Sequence, residues 1–161
     1  MFNLKDKTAI VSGGSKGIGK AIAFKYAEAG ANVVICSRKK DNLDNAVAEA
    51  KSSGLSIVGI ECNTGDVTSI KNVVDKTIDQ FNKVDILVNN AAANPYYGPI
   101  LKSEDSHWEK IWDINVKGYF NFIKICSESM QNHQYGKIIN IASIAAKTPL
   151  DGLGVYNISK A

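Results

Sequence analysis

The stretch that decides the fold is Thr8-Ala9-Ile10-Val11-Ser12-Gly13-Gly14-Ser15-Lys16-Gly17-Ile18-Gly19. Its first five residues are apolar or β-branched, which predicts a short buried strand. The glycines that follow allow a tight turn and close packing of a helix against that strand. Because a helix N-terminus presents free N–H groups and a positive dipole end, the turn is a predicted binding site for phosphate groups. The candidate phosphate-binding residues are Gly13, Ser15, Lys16, Gly17, Ile18 and Gly19.

Short apolar runs alternate with longer segments of helical period along the whole chain. The first helix is predicted from Ile18, Ile22, Tyr26 and Ala29, which form one face, and it ends at Gly30. Such alternation indicates a parallel sheet covered on both faces, and right-handed crossovers favour a Rossmann-like order. We therefore expect an α/β, doubly wound parallel sheet in one domain, residues 1–161, with about five strands. The predicted strands are 8–12, 32–37, 56–62, 84–89 and 137–141; the predicted helices are about 18–29, 41–53, 70–81 and 104–131, the last broken near Trp112.

Composition excludes several classes of protein. With 45% apolar and 22% charged residues, the 161-residue chain has the balance of a globular domain. No apolar run is long enough for a membrane span, and the first seven residues contain no signal-peptide core, so we expect an intracellular protein. The three cysteines are an odd number without metal-ligand spacing, which indicates buried thiols and no metal site. The net charge of +3 comes from scattered lysines and argues against a nucleic-acid partner.

The end of the second predicted strand bears on which dinucleotide binds. Enzymes that use NAD usually place a carboxylate about 20 residues after the glycine turn, on the ribose 2′-hydroxyl. Here the strand ends Cys36-Ser37-Arg38-Lys39-Lys40, without an acid. Arg38, helped by Lys16, can instead pair with a 2′-phosphate, since a guanidinium binds two oxygens at once. A solvated basic turn is the alternative, but the missing acid and the two cations favour NADP(H), with Ser37 and Arg38 in its site.

A tyrosine and a lysine near the end of the chain, Tyr156 and Lys160, are four residues apart. On a helix they share one face, so the phenol and the ammonium can occupy one site. A free tyrosine has a pKa of about 10, and a neighbouring cation lowers that pKa enough to make a usable acid or base. The same pair is also common on ordinary helix surfaces, so its neighbours decide. Ser143, Asn89 and Ala91 follow predicted strands at the carboxyl edge, where open α/β sheets bind ligands, and Asn115 lies in an intervening helix.

These motifs together resemble the short-chain dehydrogenase/reductase family, in its order and near its spacing, from Lys7 to Ala161. Residues 90–100 (NAAANPYYGPI) are similar to a narrower group, the NADP-dependent carbonyl and retinal reductases of the peroxisomal type. Three positions depart from the family pattern. Ser12 replaces a threonine, Ala92 replaces a glycine, and Asn63 stands where an aspartate often contacts the adenine, unless the neighbouring Asp66 is the true partner.

The resemblance also implies a mechanism. Tyr156 would give its proton to a carbonyl oxygen as hydride leaves the nicotinamide, and Ser143 would hydrogen-bond that oxygen as charge develops. Lys160 would lower the tyrosine pKa and bind the ribose hydroxyls of the nicotinamide, together with Tyr156. Asn115 would hold a water that links Lys160 to solvent. The resemblance thus implies an oxidoreductase acting with NADP(H) on a small-molecule ketone, dicarbonyl or retinoid-like aldehyde, or on the corresponding alcohol.

Two other functions share these motifs: reduction of 3-ketones bound to acyl carrier protein, and a noncatalytic NADP-binding fragment. Family members continue beyond the Tyr/Lys helix through two more strands and a substrate loop, and they commonly form dimers or tetramers. Because this chain ends at Ala161, we expect an open sheet edge and a polypeptide that alone is weakly active or inactive and prone to aggregation. The choice between cytoplasm and peroxisome depends on a C-terminal address.

Overall fold

A parallel five-stranded sheet forms the centre of the protein in the computed structural model, which describes residues 3–161. The strands are β1 Thr8–Ser12, β2 Asn32–Ser37, β3 Ile57–Glu61, β4 Ile86–Asn89 and β5 Lys137–Asn140. They lie in the order β3-β2-β1-β4-β5. The chain therefore adds β2 and β3 on one side of β1 and then crosses over to add β4 and β5 on the other side. The crevice between β1 and β4 is the point where an open α/β sheet binds ligands. The predicted fold class is confirmed.

Six helices connect and follow the strands. They are α1 Gly17–Glu28, α2 Lys40–Ser52, α3 Val67–Phe81, α4 Asp105–Trp112, α5 Gly118–Asn132 and α6 Gly154–Lys160. Side chains of α1 and α2 pack on one face of the sheet, and side chains of α3 and α5 pack on the other. Two short 3-10 turns, Ile100–Lys102 and Ile144–Ala146, lie at the carboxyl side of the sheet before α4 and α6.

The two cores on either side of the sheet explain the unbroken apolar runs of the central strands. Successive residues of a strand point to opposite faces. On β1, Ala9 and Val11 belong to the core beneath α1 and α2, whereas Ile10 belongs to the core beneath α3 and α5. All three side chains are fully buried. A strand covered on both faces therefore reads as continuously hydrophobic instead of alternating.

Two details of the helices differ from the prediction. α3 begins at Val67, earlier than expected, because the Asp66 carboxylate accepts hydrogen bonds from the N–H groups of Thr68 and Ser69 and caps the helix. In α1 the sequence places Ile18 on the buried face, but its side chain is 64% exposed and Ala23 is buried instead. The first turn of α1 projects beyond the sheet, so its apolar residue has nothing to pack against.

The long helix predicted over residues 104–131 is interrupted just after Trp112, as expected. Residues Asp113–Lys117 form a π-helical turn between α4 and α5. A Cβ at Gly118 would lie 2.4 Å from the carbonyl oxygen of Thr64, so only glycine permits this approach. The wide turn presents a buried Asn115 to the carboxyl side of the sheet. Single π turns of this kind often occur at functional sites.

The last strand, β5, forms an open edge of the sheet beside β4. Its Ile138 and Ile139 side chains are 41% and 39% exposed, although strands of a parallel sheet are normally buried on both faces. The free backbone groups of this edge can pair with another strand. Within residues 3–161, none of the helices combines the length and the apolar character needed to cross a bilayer.

Candidate active site

A cleft of about 300 Å³ opens at the carboxyl ends of β1, β2 and β4. Its walls come from the glycine turn after β1, the basic end of β2 and the loop after β4. Six residues predicted from the sequence line it: Gly13, Ser15, Lys16, Ser37, Arg38 and Ala91. Five others that the sequence did not single out as binding residues complete the lining: Cys62, Thr64, Asn90, Ala92 and Ile114.

The glycine turn is tightly built. Gly13 has a φ of +64° and Gly17 a φ of +58°, values that favour glycine. A Cβ at Gly19 would lie 2.4 Å from the carbonyl oxygen of Gly13, so the first turn of α1 can pack here only with glycine at that position. Lys16, at the N-cap of α1, makes no side-chain cap, and the first turn holds no acidic residue. The N-terminal N–H groups of a long helix are thus left open to an anion.

The loop after β4 is tied to the glycine turn through Ser12 and Asn90. The Ser12 hydroxyl accepts hydrogen bonds from the backbone N–H groups of Asn90 and Ala91, at 3.0 and 3.1 Å. The Asn90 side-chain amide donates to the carbonyl oxygens of Ser12 and Gly13, at 2.9 and 3.2 Å. These contacts hold the two loops together at the crevice between β1 and β4. The serine at position 12 keeps the hydroxyl that the loop needs.

The other predicted cofactor-binding residues are not among those that line the cleft: Gly17, Ile18, Gly19, Asn63, Asn89, Tyr156 and Lys160. Asn89 is fully buried and its amide donates to the Asn140 side chain at 2.9 Å, so it lies within the sheet. The side-chain oxygen of Asn63 accepts the N–H of Gly65 at 3.2 Å, in a local turn beside the cleft. Asp66, the other candidate for an adenine contact, is occupied as the cap of α3. Of these three polar side chains, Asn63 is the one exposed next to the cleft without a role in a helix cap or the sheet.

The Lys160 side chain is buried and its ammonium is held by two oxygens. It donates to the backbone carbonyl of Ile141 at 2.8 Å and to the hydroxyl of Tyr119 at 3.0 Å. Burial lowers the pKa of Lys160 from its ordinary value, because an ammonium loses hydration in the interior. Tyr119 on α5 was not anticipated from the sequence. The only signal for it is its spacing of four residues after Asn115, which places both on one helical face.

Asn115 connects the loop after β4 to the helix that carries the Tyr/Lys pair. Its side-chain oxygen accepts the N–H of Ala93 at 2.8 Å, and its amide donates to the Ala93 carbonyl at 3.0 Å. The same amide donates to the Ser159 hydroxyl at 2.9 Å, and that hydroxyl donates to the carbonyl of Tyr156 at 2.8 Å. Asn115 is therefore linked through Ser159 to the backbone carbonyl of Tyr156, so its side chain has a structural role.

Ser143 lies at the start of the 3-10 turn that packs against α6. Its hydroxyl accepts the N–H of Ala145 at 3.1 Å and caps that turn. No hydrogen bond joins Ser143 to Tyr156 within residues 3–161. The two residues are thus on adjoining elements of one sheet edge, with both hydroxyls available to a third group. Tyr156 and Lys160 thus lie on one short helix, and Ser143 lies on the turn that packs against it.

Comparisons with known proteins find a family model and relatives that match nearly the whole chain. The family model described as short chain dehydrogenase matches residues 7–161. "Dehydrogenase/reductase SDR family member 4" of Oryctolagus cuniculus is 42% identical over 157 residues, covering 98% of this chain and 60% of the relative. The Homo sapiens protein of the same name is 39% identical, covering 98% of this chain and 56% of the relative. The chain therefore spans less than two thirds of the length of these relatives.

Solved structures show the same architecture. An NAD+-bound xylitol dehydrogenase superposes with a TM-score of 0.92 at 28% identity, covering 99% of this chain and 60% of that chain. A metagenomic short-chain oxidoreductase in complex with NADP also has a TM-score of 0.92, at 29% identity, covering 98% of this chain and 71% of that chain. Both forms of the nicotinamide dinucleotide thus occur among proteins of similar structure.

Proposed function

Because the chain belongs to the short-chain dehydrogenase family, we propose that it is the cofactor-binding and catalytic part of an oxidoreductase that moves hydride between NADP(H) and a carbonyl or alcohol substrate. The observation that carries the proposal is one helix, α6, that places Tyr156 and the buried Lys160 at the same sheet edge as the uncapped N-terminus of α1. A phosphate-binding terminus and an acid/base pair on one edge are what this chemistry requires.

The cleft suits a dinucleotide. The positive φ angles of Gly13 and Gly17 and the missing side-chain cap at Lys16 leave backbone N–H groups for a pyrophosphate. The cleft also extends to the end of β2, where an adenosine ribose would lie. When bound, the nicotinamide supplies the hydride, and the protein supplies position and electrostatics.

The proposal for NADP(H) over NAD(H) rests on charge. Arg38 and Lys16 both line the cleft, from β2 and from the glycine turn. No acidic side chain is among the residues that line the described cleft. A ribose 2′-phosphate would be favoured by two cations, and by the bidentate geometry of the guanidinium above all.

The side chains of α6 and its neighbours divide the catalytic work in this proposal. Tyr156 gives a proton to the carbonyl oxygen, and Ser143 donates a hydrogen bond to the same oxygen where negative charge develops. Lys160 lies one helical turn after Tyr156, and its ammonium would bind the ribose hydroxyls of the nicotinamide. Asn115 fixes the backbone around Tyr156 through Ser159.

We further propose a small ketone, dicarbonyl or retinoid-like aldehyde as the substrate class, in line with the resemblance of residues 90–100 to carbonyl and retinal reductases. The exposed apolar side chains Phe120 and Ile158 support a homo-oligomer as the working form. Because that resemblance is to reductases of the peroxisomal type, we propose a peroxisomal or cytoplasmic location.

The test follows NADPH consumption with a panel of ketones, dicarbonyls and aldehydes, for the protein and for Tyr156→Phe. NADPH fluorescence titration reports cofactor binding in both. We expect Tyr156→Phe to bind NADPH within about twofold of the parent and to lose turnover by about a thousandfold or more, as removal of a proton donor does. Turnover retained by Tyr156→Phe would overturn the assigned chemistry. NADPH binding without turnover by the parent would instead select the noncatalytic alternative.

A further inference from the structure

Three elements of the fold meet at the Lys160 ammonium. One of the residues that contact it there, Tyr119, has no role in the proposed chemistry. Tyr119 comes from α5, Ile141 follows β5, and Lys160 lies in the last turn of α6. Lys160 Nζ is 3.0 Å from Tyr119 Oη and 2.8 Å from the Ile141 carbonyl oxygen. The Tyr119 hydroxyl in turn donates to the same Ile141 oxygen at 3.5 Å. The ammonium also lies 4.9 Å from the centroid of the Tyr119 ring.

Lys160 is held without an ion pair among the described residues. The residue is only 8% exposed. A buried ammonium is costly unless its N–H groups are hydrogen-bonded. The two neutral oxygens from Tyr119 and Ile141 are therefore what keeps the charged form of Lys160 in place. Of these two, only the phenol belongs to a side chain.

We infer that Tyr119 is a positioning residue of this site, whose phenol oxygen holds the Lys160 ammonium against the Ile141 carbonyl so that its charge acts on Tyr156. The inference rests on the proposed function, because it takes the charge of Lys160 to be needed for proton transfer. Tyr119 acts through Lys160 and does not itself contact the substrate.

Tyr119 is suited to accept from the ammonium and unsuited to replace Tyr156 as the acid. Burial, and then the proximity of Tyr156, raise the pKa of Tyr119 well above its ordinary value. The Tyr119 phenol therefore stays protonated across the physiological range and keeps a lone pair for Lys160. Its own proton points to the Ile141 carbonyl, away from any substrate. Tyr119 and Tyr156 therefore have different roles: Tyr119 holds the Lys160 ammonium, and Tyr156 is the proposed proton donor.

Loss of the phenol oxygen has a defined consequence for the charge on Lys160. Burial already places the Lys160 pKa below its ordinary value. Tyr119→Phe removes one acceptor from the ammonium, so this pKa falls further, by about one unit or more for a hydrogen bond to a charged group. As the pH rises, the ammonium is then lost at a lower pH than in the parent. Turnover that needs the charged form of Lys160 should therefore decline first at alkaline pH.

The direct experiment titrates Lys160 by NMR in protein labelled with ε-¹³C lysine, which leaves all three N–H groups of the ammonium in place. The resonance of Lys160 is identified as the one absent from Lys160→Arg. We expect its midpoint in Tyr119→Phe to lie about one pH unit lower than in the parent. Tyr119→Gln, which returns an acceptor oxygen, is expected to recover part of the shift. Tyr135→Phe is the matched control, since this tyrosine lies at the opposite end of the sheet, and it is expected to leave the midpoint unchanged.

A parallel pH profile of turnover separates this inference from the proposed function. We expect the alkaline limb of kcat for Tyr119→Phe to move to lower pH, with kcat at pH 7 reduced about threefold to tenfold and the KM of the carbonyl substrate changed much less. The inference would be overturned if the titration midpoint of Lys160 were the same in Tyr119→Phe as in the parent. If Tyr156→Phe still abolished turnover, the proposed function would be unaffected by that result. A shifted midpoint together with full turnover of Tyr156→Phe would overturn the proposed function, and with it the catalytic meaning of Tyr119.

Discussion

The side-chain amide of Asn115 donates a 2.9 Å hydrogen bond to the hydroxyl of Ser159. This contact joins the π-helical turn after α4 to the helix that carries Tyr156 and Lys160. Because Asn115 also pairs with both backbone groups of Ala93, the loop after β4, the π turn and α6 form one connected unit. The position of Tyr156 and Lys160 relative to the loop after β4 is therefore set by these hydrogen bonds and by the packing of α6.

Ser159→Ala tests this connection. The change removes the acceptor for Asn115 and the donor to the Tyr156 carbonyl, so the free energy of unfolding should fall by about 1–2 kcal/mol. Turnover should fall severalfold, because catalysis tolerates little misplacement of Tyr156. Urea unfolding and steady-state kinetics provide the two measurements. Ser52→Ala is the control, since its hydroxyl bonds to its own helix at the surface; an equal loss of stability in both variants would refute the special role of Ser159.

The buried Asp85 is expected to be important for stability alone. Its carboxylate accepts the Thr8 N–H at 2.8 Å and pairs with Lys83 at 3.1 Å, at the end of the sheet opposite the cleft. Asp85→Ala should lower the free energy of unfolding by about 2–3 kcal/mol, less than for a fully buried pair because Lys83 is partly exposed. NADPH affinity of the folded protein should not change. The exposed Asp75, paired with Lys71, is the control, and Asp75→Ala should cost about 0.5 kcal/mol or less in urea unfolding.

Asn63 and Asp66 can be separated by substitution. Asp66→Ala removes the cap of α3 and should lower the free energy of unfolding by about 1 kcal/mol. Asp66→Asn keeps a capping side chain and should leave both stability and NADPH affinity close to the parent. Asn63→Ala should weaken NADPH binding severalfold if its amide contacts the adenine. Fluorescence titration decides the matter: weaker NADPH binding by Asp66→Asn, with Asn63→Ala unaffected, would assign the adenine contact to Asp66.

Arg38 is predicted to select the phosphorylated dinucleotide. Arg38→Asp replaces a bidentate cation by a carboxylate suited to a ribose 2′-hydroxyl. We expect NADPH affinity to fall by about tenfold to a hundredfold, as for a charged hydrogen bond, and NADH affinity to fall far less. Lys39→Asp makes the same change of charge one residue away, outside the cleft lining, and is the control. Equal losses of NADPH and NADH binding in Arg38→Asp would contradict the assignment.

The sequence was sufficient for the sheet and for the elements of the site. The apolar run before Gly13, the glycine spacing and the helical spacing of Tyr156 and Lys160 are local patterns, and each depends on one strand or one helix. The break near Trp112 could be placed as well, but its π geometry depends on the approach of Gly118 to Thr64, a contact between distant segments. Contacts of this kind have no local signature.

The direction of side chains at the ends of strands explains why some residues of the cleft could not be predicted from the sequence. Asn89 and Asn90 are adjacent and chemically identical, yet one is buried within the sheet and the other lines the cleft. Which of them faces the ligand depends on where β4 ends. Likewise, Asp66 has two possible uses, and its capping role becomes clear only once α3 is seen to begin at Val67. Tyr119 required knowledge of how α5 and α6 pack together.

The most direct measurement of the central claim follows the hydride itself. NADPH carrying deuterium at C4 of the nicotinamide, in each of its two stereochemical forms, is incubated with the protein and a reducible ketone, and the alcohol is analysed by mass spectrometry. We predict that one of the two forms transfers one deuterium to the carbinol carbon, and that Tyr156→Phe forms no labelled alcohol while still binding NADPH. Alcohol formed without deuterium from either form would contradict the account.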